Sequence, residues 1–186
     1  MYGKEIKKIL ITREQIEKRV KELGEQITRD YKGEPLTMVC TLRGATIFFA
    51  DLVREIKGDV EIDFVACSSY GAGTTSSGEV KMLKDLSSPI EGKNVIVVED
   101  IIDTGTTLDA LKRLLETRKP KSLKVCSFLD KPSRRKVDFK GDYIGYEIEN
   151  EFVIGYGLDY NQKFRNLPDV CVLAPEVYMA DLGKAL

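Results

Sequence analysis

Glu99, Asp100 and Asp103 set three carboxylates within five residues, and Asp103-Thr104-Gly105-Thr106-Thr107 adds three hydroxyls and one glycine. Ionised carboxylates only accept hydrogen bonds, so they suit sugar hydroxyls or a hard cation and repel an anion placed beside them. Small hydroxyl residues ahead of a helix do the opposite. They leave the first backbone N–H groups free at the positive end of the helix dipole, a seat for phosphate. A ligand with a phosphate at one end and a diol or metal a few ångströms away satisfies both halves, and a ribose 5-phosphate is such a ligand. The plainer reading is an acidic turn that caps a helix. A cap, however, needs one carboxylate rather than three.

The neighbouring residues supply the elements that must hold this loop. Val95-Ile96-Val97-Val98 are four consecutive β-branched residues, the pattern of a strand buried on both faces of a parallel sheet. Leu108, Leu111, Leu114 and Leu115 recur at helical spacing up to Arg118, and Lys119-Pro120 closes the helix. The loop thus sits at the carboxyl end of a strand, where open α/β sheets bind ligands. The unit repeats earlier. Leu36–Leu42 reads as a strand, Arg43-Gly44 as a turn, and Ile47, Phe48, Leu52, Val53 and Ile56 as the apolar face of a helix. Leu123–Leu129 is another buried strand, ending in Asp130-Lys131-Pro132. Parallel strands bring Leu42-Arg43-Gly44, the acidic loop and Lys131 to one edge.

Elsewhere, Thr12 and Gln15 form a capping box ahead of an amphipathic helix over 13–31. Val60–Cys67 alternates as a strand with Val60, Ile62, Phe64 and Ala66 inward, and Val80–Leu83 and Val170–Leu173 read as strands. Residues 68–79 hold three Gly and six Ser or Thr, with nothing to bury. They do not match GxGxxG, and no helix follows. Residues 133–142 read as a surface connection, and 143–159 are rich in aromatics and Gly without a clean period.

Composition excludes much. The 186 residues carry no histidine, so acid–base work falls to Asp, Glu, Lys or Tyr and any metal must be an oxygen-bound ion such as Mg²⁺. A net charge of −1 gives no case for a nucleic-acid partner. The first eight residues lack an apolar core for a secretory signal, and no apolar run approaches the ~20 residues that span a bilayer. Cys40, Cys67, Cys126 and Cys171 are widely spaced in apolar stretches, as free buried thiols in a reducing cytoplasm would be.

Residues 97–108 resemble the phosphoribosyl-pyrophosphate signature of the type I phosphoribosyltransferases, in detail the hypoxanthine-guanine branch. Leu42-Arg43-Gly44 is similar to the family's Leu-Lys-Gly, Ser69-Tyr70 to the start of its flexible lid, and 151–161 to its purine-binding hood. The resemblance implies an α/β fold, with a central, mainly parallel sheet flanked by helices. It implies one domain over 1–186, with a lid at about 68–79 and a small C-terminal hood at about 140–168. It implies transfer of 5-phosphoribosyl from phosphoribosyl pyrophosphate to hypoxanthine or guanine, giving IMP or GMP and pyrophosphate in purine salvage.

The residue roles come with it. Glu99 and Asp100 would hold the ribose hydroxyls and Mg²⁺, and Asp103 to Thr107 the 5-phosphate. Leu42, Arg43 and Gly44, behind a cis peptide before Arg43, would meet pyrophosphate together with Arg165. Lys131 would bond the 6-oxo group, Phe152 would stack on the base, Val153 would read its edge, and Asp159 would contribute to base and metal. Asp103 is the candidate base for the proton on ring nitrogen 7. A homodimer or homotetramer is expected. A xanthine- or guanine-preferring transferase and a non-catalytic sensor of phosphoribosyl pyrophosphate are the alternatives.

Overall fold

The computed structural model describes residues 3–69 and 80–182. Its elements run β1 (Ile6–Ile11), α1 (Arg13–Tyr31), β2 (Leu36–Thr41), α2 (Thr46–Glu55), β3 (Val60–Ser69), β4 (Val80–Lys84), β5 (Asn94–Ile102), α3 (Thr106–Glu116), β6 (Ser122–Asp130), β7 (Tyr143–Glu147), β8 (Val153–Ile154), β9 (Val170–Leu173) and α4 (Pro175–Leu182). Six strands form one sheet in the order β4-β3-β2-β5-β6-β7, parallel except for β4. A smaller antiparallel sheet has the order β1-β9-β8.

The apolar run of β5 lies at the centre of the large sheet. Ile96 and Val98 enter the core beneath α1 and α2, whereas Val95 and Val97 enter the core beneath α3. Successive strand side chains point to opposite faces, so a strand covered on both sides has no position left for a polar residue. α1 starts at the capping box read from sequence, with the Thr12 side chain bonded to the Gln15 N–H and the Gln15 side chain bonded in return. It buries Ile16, Val20, Leu23 and Ile27. Gly24 lets α2 approach, because a Cβ there would stand 2.4 Å from Cβ of Glu55.

The structure differs from the sequence reading at four places. On α2, Phe49 is buried with Phe48 and Leu52, while Ile47 is 37% exposed. On β3, Ile62 is 55% exposed and Asp63 is buried. Asp63 is inward because it accepts the N–H groups of Phe64 (2.7 Å), Ser87 (2.7 Å) and Ser88 (3.2 Å), a local demand that overrides the apolar alternation. Residues 133–142 are not wholly superficial, since Phe139 packs beneath α3. The small sheet draws on β1 as well as the C-terminal segment, and Tyr143–Glu147 belong to the large sheet beside β6.

Candidate active site

The register of the parallel strands decides what meets at the carboxyl edge. Cys40 of β2 pairs with Val98 of β5, and Ile102 of β5 pairs with Asp130 of β6. Leu42-Arg43-Gly44, Glu99-Asp100 and Lys131 therefore leave their strands side by side. The Leu42–Arg43 peptide is cis. Gly44 lies against the acidic pair so closely that a Cβ there would stand 1.6 Å from Oδ2 of Asp100. Gly157, at φ 99°, closes on the same turn: its Cβ would lie 2.1 Å from the carbonyl oxygen of Gly44. Two glycines thus allow three segments to share one small volume.

Glu99 and Asp100 keep some contact with the cleft, yet protein surrounds them closely enough for loss of water to dominate their titration. Desolvation and the neighbouring Asp100 carboxylate push Glu99 well above the ordinary carboxylate range. Asp100 is raised too, first by desolvation, with bonds from Glu99 and the Ile101 N–H and the charge of Arg165 pulling it back. Two acceptors this short of compensation favour a proton, a cation or sugar hydroxyls between them.

Beyond the pair, the chain turns through Asp103-Thr104-Gly105 into α3. Gly105, at φ 80°, is the N-cap, and no side chain caps this helix. A cavity of 200 Å³ opens here, bounded by Thr41, Glu99, Thr104, Gly105, Thr107 and Cys67. Burial pushes the Cys67 thiol up to about 11, so it stays neutral beside an anion. A second cavity, of 410 Å³, includes Lys131, Phe152, Val153, Asp159 and Tyr178. Asp103 and Ile101 line both cavities, so Asp103 stands at their junction. Its carboxylate accepts from Nε of Arg134 at 2.9 Å.

Lys131 is buried at the end of β6 rather than solvated, and desolvation lowers its pKa against the pull of Asp103. Phe152 is 41% exposed and has Tyr178 of α4 stacked at 5.4 Å and Tyr160 edge-on at 5.6 Å. Tyr156, by contrast, is core, its hydroxyl bonded to Asp51 at 2.9 Å. Arg165 pairs with Asp159 at 2.8 Å and donates to the Gly157 carbonyl at 2.7 Å. The Arg43 guanidinium is exposed and donates to Gln162 at 3.3 Å.

Most of the sequence-selected residues converge on these two cavities. Asp159 is paired with Arg165 rather than grouped with Glu99 and Asp100. Among the described residues no group of three His, Cys, Asp or Glu side chains forms a metal cage. Tyr70, with residues 70–79 of the expected lid, lies outside the described residues, and of Ser69 only the backbone is described. Sequence reasoning missed Tyr178, Arg134 and Arg135, whose contacts with Phe152 and Asp103 cross 26 to 32 residues and follow no period. A larger cavity, of 790 Å³, lies between α1 and α2, lined by Ile16, Ile47, Asp51 and Arg54 among others. It contains none of the acidic-loop residues.

The phosphoribosyl transferase domain family model matches residues 8–161. A curated hypoxanthine-guanine phosphoribosyltransferase of Streptococcus thermophilus is 51% identical over 178 residues, 96% of this chain and 99% of the relative. The chain belongs to the hypoxanthine-guanine phosphoribosyltransferase family. Solved structures of that family superpose closely. A hypoxanthine phosphoribosyltransferase from Staphylococcus aureus matches with a TM-score of 0.91 at 49% identity, covering 94% of this chain and 95% of that one. One from Trypanosoma cruzi, determined to study how its C-terminal region affects oligomeric state and activity, matches with a TM-score of 0.94 at 44% identity. It covers 98% of this chain and 99% of that one. Among the described residues of this family member, no helix is long and apolar enough to cross a membrane.

Proposed function

We propose that the two cavities bind the two halves of one reaction: transfer of 5-phosphoribosyl from phosphoribosyl pyrophosphate to hypoxanthine or guanine, with release of pyrophosphate. The observation that carries this reading is the position of Asp103, at the junction of an anion cradle and an aromatic-walled cavity. Family membership supports the reaction class, and the alternative of a non-catalytic sensor gains nothing from either.

In this reading the amides of 103–107 and the Thr104 and Thr107 hydroxyls hold the 5-phosphate, and Glu99 and Asp100 hold the ribose hydroxyls. The base lies along Phe152, with the buried Lys131 as donor to its 6-oxo group. Lys131 suits this task because a desolvated ammonium bonds an exocyclic oxygen strongly. Val153 offers backbone groups to the base edge. Fixing sugar and base in line is worth several kcal/mol. Asp103 accepts the proton from ring nitrogen 7 as the new bond forms, leaving its Arg134 partner to do so. The backbone of Leu42-Arg43-Gly44 and the side chain of Arg165 receive the departing pyrophosphate, and Arg165 releases Asp159 as it turns.

Glu99 and Asp100 fit Mg²⁺ by donor chemistry, as adjacent oxygen ligands destabilised by lost water, with Asp159 joining once Arg165 has left it. The bound ion supplies charge neutralisation for the leaving pyrophosphate. Residues 68–79 serve as the lid and the small sheet as the hood of a single domain. The enzyme works in the cytoplasm, consistent with four free cysteines. It assembles as a homodimer or homotetramer, for which the groove between α1 and α2, with half-exposed Ile47 among charged residues, offers a surface. Initial rates with hypoxanthine, guanine and xanthine, with and without Mg²⁺, test the proposal. Turnover of the first two only with Mg²⁺ supports it, and no pyrophosphate release with any base refutes it.

A further inference from the structure

We infer that Arg135 is a positioning residue for the 5-phosphate seat, turning the peptide groups of the loop so that their N–H bonds face the ligand. The inference rests on the reading of Asp103 to Thr107 as that seat. Three consecutive carbonyls, from the last residue of β5 onward, are drawn toward the segment that follows β6. Ile102 O accepts the Lys131 N–H at 2.9 Å, and Thr104 O accepts the Lys136 N–H at 2.9 Å. Between them, Asp103 O accepts Nη1 of Arg135 at 2.5 Å, and the same nitrogen reaches Ile102 O at 3.4 Å. In a trans peptide the carbonyl and the following N–H point in opposite directions. With the carbonyls of 102, 103 and 104 held on one side, the N–H groups of Asp103, Thr104 and Gly105 are turned to the other. Successive amides turned one way form an anion-binding concavity. The cavity bounded by Thr104, Gly105 and Thr107 lies at this turn.

Arg135 is itself fixed. Its Nη2 pairs with Asp130, a buried carboxylate at the end of β6. Its aliphatic stem lies against Gly105, where a Cβ would come within 2.9 Å of Arg135 Cδ. Its hydrogen-bonding capacity in this direction is directed at carbonyls and Asp130, so its contribution is orientation. A planar fork can span a carboxylate and two carbonyls at once, whereas a lysine ammonium is a point charge.

Steady-state kinetics on the full chain test this. In both Arg135→Met and Arg135→Lys the KM for phosphoribosyl pyrophosphate is expected to rise about tenfold or more, the loss of a charge-assisted bond. The KM for hypoxanthine should stay within about twofold, since the loop does not form the base cavity's aromatic wall. Lys140→Met, which removes an exposed charge from the same segment, should change neither. Full recovery by lysine would reduce Arg135 to a point charge, and an equal rise in both KM values would reduce it to general scaffolding. Either result overturns the inference. Should Arg135→Met fail to fold, Asp130→Asn gives the same reading, with a smaller rise confined to phosphoribosyl pyrophosphate expected and an unselective rise or none overturning it. Thr107→Val tests the seat separately. An unchanged phosphoribosyl pyrophosphate KM there removes the seat, whereas a raised one beside unaltered Arg135 variants removes only the positioning role.

Discussion

Gly157→Ala isolates the close approach of two loops at the carboxyl edge of the large sheet, where the proposed reaction places pyrophosphate. A Cβ at position 157 would lie 2.1 Å from the Gly44 carbonyl oxygen, and side-chain carbons essentially never approach below 3.0 Å. One backbone must therefore retreat by about 0.9 Å, and no side-chain rotation can absorb it, because the atom met is main chain. A misplacement of ~1 Å near the reacting groups costs about 10²-fold in rate. We expect kcat/KM for phosphoribosyl pyrophosphate to fall by roughly 30- to 100-fold. An alanine at φ 99° also carries backbone strain of about 1 kcal/mol, a loss of about 2–4 °C in Tm for a chain of this size. Gly33→Ala separates the two effects. Gly33 has a similar φ of 82°, but nothing lies within 4 Å of its Cβ position. It should lose the same few degrees and keep full activity. Steady-state kinetics beside thermal unfolding read both variants. Wild-type kcat/KM in Gly157→Ala would refute the claim that this approach sets the geometry of the site.

Asp103→Asn should lower kcat by about 10²- to 10⁴-fold, the usual contribution of a general base, with the phosphoribosyl pyrophosphate KM changed only a few-fold. Equal losses in both would remove the base assignment. Glu99→Gln should abolish activity while raising Tm by a few degrees at pH 7–8. The folded pKa of Glu99 lies above its ordinary 4.5, so between the two values the folded state binds more protons and stability falls as pH rises through that range. The Gln variant lacks that decline, and its advantage should vanish below about pH 4.5, as pH-dependent unfolding would show. Tyr178→Ala should raise the KM for the base by about 3- to 10-fold, with Tyr178→Phe restoring it, because the stacked ring at 5.4 Å steadies Phe152. No change in that KM would make the α4 contact incidental.

The carboxyl edge of the large sheet was legible because its signals are local. Four β-branched residues, three carboxylates and a hydroxyl turn before a leucine-periodic helix are all read within about twenty positions, and β5 and α3 appear where that pattern puts them. The capping box placed the start of α1 for the same reason. Features set by distant partners were not legible. Asp63 inverts the inward face of β3 because of amides on residues 87 and 88. Lys131 is buried at the end of β6, where nothing in its own neighbourhood of charged and polar residues signals burial. β1 and α4 have no period of their own, and both are held by β9 and its surroundings. Arg135 and Tyr178 enter the site through contacts across 32 and 26 residues, to Asp103 and Phe152 respectively, and no spacing rule encodes those.

Backbone amide chemical shifts, followed while ribose 5-phosphate is titrated into the protein, interrogate the anion cradle directly. A phosphate seat at 103–107 predicts the largest saturable changes at Asp103 to Thr107 and at Glu99 and Asp100. Quiet amides there, with changes gathered instead around Ile16, Ile47 and Asp51 in the cavity between α1 and α2, would contradict it.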